Sequence, residues 1–285
     1  MIGPDNLDGI PLTHRVVKVG TTDLHVVEGG SGPPVVLVHG FPEFWYSWRN
    51  QIPALIRAGF RAIAVDLRGY GESSKPHAID DYRLTAIVDD IAGLIVQTGG
   101  APCAVVGHDW GGIVSWFLPM LHPNVVSKLV VLNTPHPVPF SREMKCNRAQ
   151  RVRMAYQLLM QPPVLPETIL RFVLPSIMRR AANISEEELR VYVEAWRPRA
   201  ARRGMVNYYR AVRRTRKMLR SLVRPISIPT MLVWGEREPV FTRQTTENFE
   251  EYVPNLRIVR VPDAGHFPQA DAPDVVNKAL IEFLR

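Results

Sequence analysis

Two cysteines in 285 residues, Cys103 and Cys146, are too few for a disulfide framework, and neither sits in a metal-binding spacing. Cys103 opens an apolar run and reads as a core thiol. The chain lacks any run of 18 or more apolar residues, which excludes a membrane-spanning helix. Its first residues, MIGPDNLDGIPLTHR, have neither the basic start nor the apolar middle of a secretory signal, so a cytoplasmic protein is expected. Internal repeats and low-complexity linkers are absent, which excludes a solenoid or a tethered array. Acidic residues are scarce in one region. Residues 141–224 hold 20 Lys and Arg against 6 Asp and Glu, a net +14 in a chain whose total is +8. A basic segment attracts nucleic acid or anionic surfaces. No nucleic-acid motif accompanies the charge, so it reads as a solvated arginine-rich surface with no nucleic-acid partner.

What is present is alternation. β-Branched runs at Leu24–Glu28, Val35–His39, Arg61–Asp66, Cys103–Gly107, Lys128–Leu132, Thr230–Trp234 and Leu256–Arg260 read as strands. Several are apolar throughout, as strands covered on both faces are. Phe44–Ala58, Leu84–Thr98, Gly112–Leu121, Thr242–Tyr252 and Pro273–Leu284 carry helical spacing. This β-α order predicts an α/β fold with a mostly parallel central sheet flanked by helices. The alternation stops near Pro139 and resumes near Pro225. The arginine-rich interval reads as an inserted helical cap, with a capping box at Ser185–Glu188. The domains are thus a core over 1–138 and 225–285 and a cap over 139–224.

The chemistry-bearing stretch is Gly107-His108-Asp109-Trp110-Gly111-Gly112, a glycine-flanked strand-to-helix turn. Hydrolases place a serine nucleophile in such a turn, but the projecting residue here is Asp109. The helix N-terminus that follows supports an anion there, and a plain helix cap would use the same residue type. His39-Gly40-Phe41-Pro42 follows another strand and can aim the Phe41 N–H, with that of Trp110, at a developing oxyanion. His39 itself reads as a hydrogen-bonded structural histidine. After the last strand, Asp263-Ala264-Gly265-His266-Phe267 offers His266 as a general base. A base of this kind needs a carboxylate to orient it. Glu238 on the preceding loop is preferred, with Glu236, Asp263 and Asp271 as alternatives.

Together these residues resemble the soluble, cap-bearing epoxide hydrolases of the α/β-hydrolase fold. The similarity runs through HGFPEFWYSWRNQIPALIRAGFRAIAVDLRGYGESS, GHDWGG, LNTPHP, YQLLMQ, NYYRA and AGHFPQ, nearly the whole chain. It implies that Asp109 attacks an epoxide carbon to form an alkyl–enzyme ester. Water activated by His266 and Glu238 then hydrolyses that ester to release a diol. Tyr156 and Tyr209 match the family's proton-donating cap tyrosines. Phe41, Pro42 and Trp110 are expected to contact substrate. The partners are then a small hydrophobic epoxide and water as co-substrate, with no metal or organic cofactor, in a monomer or homodimer. The triad acid departs from the family's more usual aspartate. The hydrolase pattern starts within the first 40 residues, so an N-terminal phosphatase-type domain is not expected.

Two alternatives use the same fold. A haloalkane dehalogenase shares the Asp–His–acid chemistry but needs two N–H donors for halide, for which Trp110 and Trp196 are candidates. A non-catalytic receptor would bind a small ligand without turnover, and would have no use for nucleophile, base and donors together. Of the cap's leucines, methionines, Phe172 and Trp196, those that face inward would line an apolar pocket, and a lone tryptophan such as Trp196 is more often core.

Overall fold

A computed structural model describes residues 2–285. The chain opens with a two-residue ladder, β1 (Asn6–Leu7) and β2 (Ile10–Pro11). An antiparallel hairpin follows, β3 (Thr13–Val19) and β4 (Thr22–Gly29). The α/β succession is then β5 (Pro34–Val38), α1 (Gln51–Arg57), β6 (Arg61–Val65), α2 (Leu84–Gln97), β7 (Cys103–His108), α3 (Trp110–Leu121) and β8 (Val126–Leu132). Five helices intervene: α4 (Pro137–Cys146), α5 (Arg148–Arg153), α6 (Leu165–Ala181), α7 (Glu186–Trp196) and α8 (Arg199–Ser221). The chain closes with β9 (Thr230–Gly235), β10 (Leu256–Val261), α9 (Pro268–Asp271) and α10 (Pro273–Leu284).

Eight strands form one sheet in the order β10-β9-β8-β7-β5-β6-β4-β3. Pairing is parallel from β6 across to β10, while β4 joins β6 antiparallel. Every residue of β7 and β9 is buried, which explains their unbroken apolar runs. The β5–α1–β6 crossover runs one way along the sheet, whereas β6–α2–β7 and β7–α3–β8 run the other. Right-handed crossovers therefore put α1 on one face and α2 and α3 on the opposite one. Contacts of α1 with α10, and of α2 with α3, fit that division. The reversal of direction falls at β5 and β7, so their carboxyl ends border a crevice in which open α/β sheets place ligands.

Two departures from the sequence pattern have local causes. The strand β3 was not anticipated, because it is a sheet edge with polar Thr13, His14, Arg15 and Lys18 along it. Thr242–Tyr252 was expected to be helical but holds only a single 3₁₀ turn at Arg243–Thr246. There the Thr245 and Thr246 hydroxyls bond the carbonyls of Thr242 and Arg243. Such short-range bonds compete with a helix, and Asn248 breaks it with φ of 56°. The capping box at α7 forms as read, with Ser185 and Glu188 each bonding the other's backbone N–H.

Candidate active site

Asp109 ends β7 at the start of α3 with φ 49° and ψ −117°, a strained conformation for a non-glycine residue. The turn closes only because its neighbours lack side chains. A Cβ on Gly111 would stand 2.1 Å from the Val38 carbonyl oxygen, and one on Gly40 would stand 2.4 Å from the Asp109 Cβ. So tight a turn drives the carboxylate out of the sheet towards the β5 loop. There the Phe41 N–H donates to Asp109 Oδ1 at 2.7 Å.

The second carboxylate oxygen, Oδ2, lies 3.5 Å from His266 Nε2. On the far side of that ring, Nδ1 is 2.7 Å from Glu238 Oε2. Glu238 is held in turn. Its Oε1 accepts from the N–H groups of Val240 (2.6 Å) and Phe241 (3.3 Å), and its Oε2 accepts from Asn133 Nδ2 at 2.7 Å. All three ionisable groups are buried. Burial alone would raise the Asp109 carboxyl, but the neighbouring His266 and the Phe41 N–H hold it below the usual carboxylate range. Burial would likewise lower His266, yet the Glu238 and Asp109 carboxylates outweigh it and raise the imidazole well above its ordinary value. Glu238 is held low by His266 and Asn133 against the opposing effect of burial.

Asp109, Trp110, Tyr156 and Tyr209 share the wall of one cavity of about 970 Å³. The Tyr156 and Tyr209 rings meet edge to face at 5.9 Å, and Tyr209 also packs against Trp110 (5.1 Å) and Phe41 (5.5 Å). Burial pushes both phenols above their ordinary value, and the Asp109 charge adds to it, so both stay protonated at neutral pH.

Comparison with known proteins places this arrangement. The alpha/beta hydrolase fold family matches residues 33–273. The chain belongs to that family. It is 36% identical over 98% of its length to an AB hydrolase superfamily protein, YfhM, of Bacillus subtilis, covering 99% of that protein. It is 33% identical over 96% of its length to human epoxide hydrolase 4, covering 79% of it. Among solved structures, epoxide hydrolase A from Mycobacterium thermoresistibile superposes with a TM-score of 0.85 at 32% identity, over 96% of this chain and 98% of that one.

In this α/β hydrolase the remaining candidates are placed as follows. Neither Phe41 nor Pro42 is part of the cavity wall. Phe41 lies behind Tyr209, and the Pro42 carbonyl accepts from the Trp196 indole at 2.6 Å. Trp196 is therefore buried away from the cavity, in the core place that a lone cap tryptophan more often takes, and Phe172, the other aromatic candidate for the pocket wall, is 70% exposed on α6. Met144, Met154, Leu158 and Leu219 do line the cavity. His39 is fully buried, with its Nε2 accepting from the Leu67 N–H. Tyr208 donates to the Arg68 carbonyl. Of the alternative acids, Glu236 pairs with Arg260, Asp263 with Arg237, and Asp271 accepts from the Gly265 N–H.

Sequence reasoning missed the supports. Asn133 accepts from the Gly235 N–H at 2.7 Å while donating to Glu238 and to the Gly265 carbonyl, and so ties three loops together. His108 bridges Glu43 (2.8 Å) and the His266 carbonyl (2.7 Å). Arg153 donates to the carbonyls of Glu238 and Phe241, anchoring α5 to the acid loop. Asn133 stands in the LNTPHP stretch, so a signal existed. His108 likewise stands in the GHDWGG stretch, whereas Arg153 lies in none of the matched stretches and its partners are 85 and 88 residues away.

Proposed function

We propose that this α/β hydrolase opens epoxides to vicinal diols, with 139–224 acting as the cap over the core of 1–138 and 225–285. The observation that carries the reading is one cavity with a carboxylate nucleophile on its core side and two protonated tyrosines, Tyr156 and Tyr209, on the same wall. A carboxylate is a competent displacer at sp³ carbon. Oδ2 of Asp109 attacks the epoxide carbon while Tyr156 and Tyr209 donate to the oxygen as the ring C–O bond breaks, so no free alkoxide forms. The product is an ester whose carbonyl oxygen, Oδ1, already sits at the Phe41 N–H.

Alkylation removes the Asp109 charge. The imidazole then loses one of the two carboxylates that raise its pKa, so its pKa falls, it gives up its resting proton, and the neutral ring is free to take one from water. His266 deprotonates that water, Glu238 stabilises the imidazolium, and hydroxide adds to the ester carbonyl carbon. The N–H groups of Phe41 and Trp110 stabilise the tetrahedral oxyanion, an effect of about 3–4 kcal/mol per donor in comparable sites. Collapse breaks the ester C–O bond, the departing diol oxygen takes the proton left on the Asp109 carboxyl, and the imidazolium proton returns through water to the tyrosine that gave one up, which restores Asp109, His266 and the phenol. The family relatives named epoxide hydrolases support the same substrate class. Halide release is less well served, because the Trp196 indole N–H is committed to Pro42. The test is a parallel assay of purified protein with styrene oxide and with 1-bromobutane. Diol without bromide is expected. Bromide without diol would reassign the reaction to dehalogenation.

A further inference from the structure

The cavity is not uniformly apolar. Beyond Tyr209, α8 carries Arg213, Arg216 and Arg220 along its cavity-facing side, at a spacing of three and four residues. Lys145 and Arg151 join the same wall, and Asp109 is the single acidic residue among the described residues that line it. The neighbouring Arg210 and Arg214, which border a second pocket together with Arg213, are paired, Arg210 with Glu167 at 2.7 Å and Arg214 with Asp80 at 3.5 Å. Among the described residues, no carboxylate pairs with Arg213, Arg216 or Arg220, and all three are exposed where they border the cavity. A helix rises about 1.5 Å per residue, so they stand roughly 6, 10 and 16 Å along the axis from Tyr209. Val212, Leu219, Met154 and Leu158 give the same wall apolar surface, beside Gln157 and Gln161.

We propose that Arg213, Arg216 and Arg220, supported by Lys145 and Arg151, form an anion-binding subsite, and that preferred substrates are epoxides carrying a carboxylate or phosphate roughly 10–16 Å from the ring. This rests on the epoxide-hydrolysis reading of the same cavity. The apolar surface takes the connecting chain, the tyrosines and Asp109 take the ring, and the arginine row takes the charge. The row also fixes polarity, since an anion at the Asp109 end would face the nucleophile's own charge. The net +14 of residues 141–224 extends the attraction beyond contact distance and concentrates anionic ligands at the mouth.

Two measurements on the full chain separate this proposal from the reading beneath it. The first needs no turnover: binding of decanoate, decyl phosphate and decanol, followed by tryptophan fluorescence, since Trp110 and Trp116 line the cavity. One exposed charge pair is worth at most about fivefold in affinity, so a row of three supports a preference for the anions of about tenfold. High salt should erase most of it. Decanoate against decyl phosphate then tells which anion fits. The second measurement compares kcat/KM for an ω-epoxy undecanoate and its methyl ester. The acid is expected to win by about tenfold, through KM. In the triple variant Arg213→Ala, Arg216→Ala, Arg220→Ala both ratios should fall towards one, while the triple lysine variant keeps them. Arg190→Ala, outside the cavity wall, serves as the charge control. Equal binding of decanoate and decanol, or an unchanged preference in the alanine triple variant, overturns the subsite and leaves epoxide hydrolysis standing. Preferred decanoate binding with neither epoxide opened upholds the subsite and refutes the hydrolysis reading.

Discussion

Replacing Glu238 by glutamine exchanges one oxygen for an NH₂ group and removes a buried charge. At present Oε1 faces two backbone donors, Val240 and Phe241, and Oε2 faces His266 and Asn133. Asn133 cannot turn to accommodate the change, because its own oxygen is bound to the Gly235 N–H. Val240 and Phe241 present two fixed backbone donors against the one of Asn133, so the amide oxygen remains at them and the NH₂ takes the Oε2 place beside His266, where it faces the Asn133 NH₂ unpaired. Nδ1 must then accept, which moves the imidazole proton to Nε2. In the free enzyme that tautomer also donates to Asp109 Oδ2, 3.5 Å away, and in the ester the glutamine NH₂ at Nδ1 alone maintains it. A histidine protonated at Nε2 cannot deprotonate water there. The imidazolium also loses its counter-charge. The corresponding loss of tautomer in serine proteases costs about 10⁴-fold, or about 5.5 kcal/mol. Ring opening does not use His266 as a base, so the two steps separate. Glu238→Gln is expected to form about one equivalent of alkyl–enzyme rapidly and then to turn over about 10⁴-fold more slowly than the parent. Intact-protein mass spectrometry after rapid quench reads the first event, and steady-state diol release reads the second. Turnover within tenfold of the parent, or no accumulated ester alongside lost activity, would refute the reasoning.

Other outcomes follow from the same geometry. Asp109→Asn removes the nucleophile without changing its size, and diol formation should vanish in freshly purified protein, as followed by chromatography of the products. Tyr156→Phe with Tyr209→Phe should slow ester formation by about 10²-fold or more, since a positioned acid contributes about 10²–10⁴. A full-speed burst of alkyl–enzyme in that double variant would contradict their role as donors. His136 sits buried between Trp116 and Phe249, and burial lowers its pKa to about 3. The unfolded chain takes up that proton near pH 6.5 and the folded one does not. Its contribution to stability is therefore complete above pH 6.5 and is lost as pH falls towards 3. Between pH 7 and 5 that loss is about 2 kcal/mol. Urea unfolding should show this much less pH dependence in His136→Gln, and an unchanged dependence would remove His136 as its source.

Much of the architecture was legible because its signals are local. Apolar runs such as VVLV and CAVVG are complete within five residues, and the seven anticipated strands fall within about two residues of the observed ones. The edge strand β3 lacked such a run because only one of its residues is fully buried. Thr242–Tyr252 had helical spacing, but side-chain bonds to its own backbone prevailed. Within the site, Asp109, Glu238 and His266 could be chosen because each sits just beyond a strand. Their supports could not, since a hydrogen bond from His108 to the His266 carbonyl leaves no mark on either segment. Trp196 and Phe172 were indistinguishable as large apolar residues of one basic segment. Folding buried one against Pro42 and left the other in solvent.

The sequence by itself determined the sheet, the order of its strands along the chain and the strained turn at Asp109. The signals for each, apolar runs and a glycine-flanked turn, lie within a few positions of one another. Only the tertiary structure decided which oxygen of Asp109 faces His266, which carboxylate serves that histidine, and which side of α8 looks into the cavity. Those choices depend on where the carboxyl ends of β5, β7, β8, β9 and β10 converge, and on how α4–α8 fold back over them. They are set by packing between segments separate in the chain, from the 28 residues between Glu238 and His266 upwards, for which a one-dimensional pattern carries no distance.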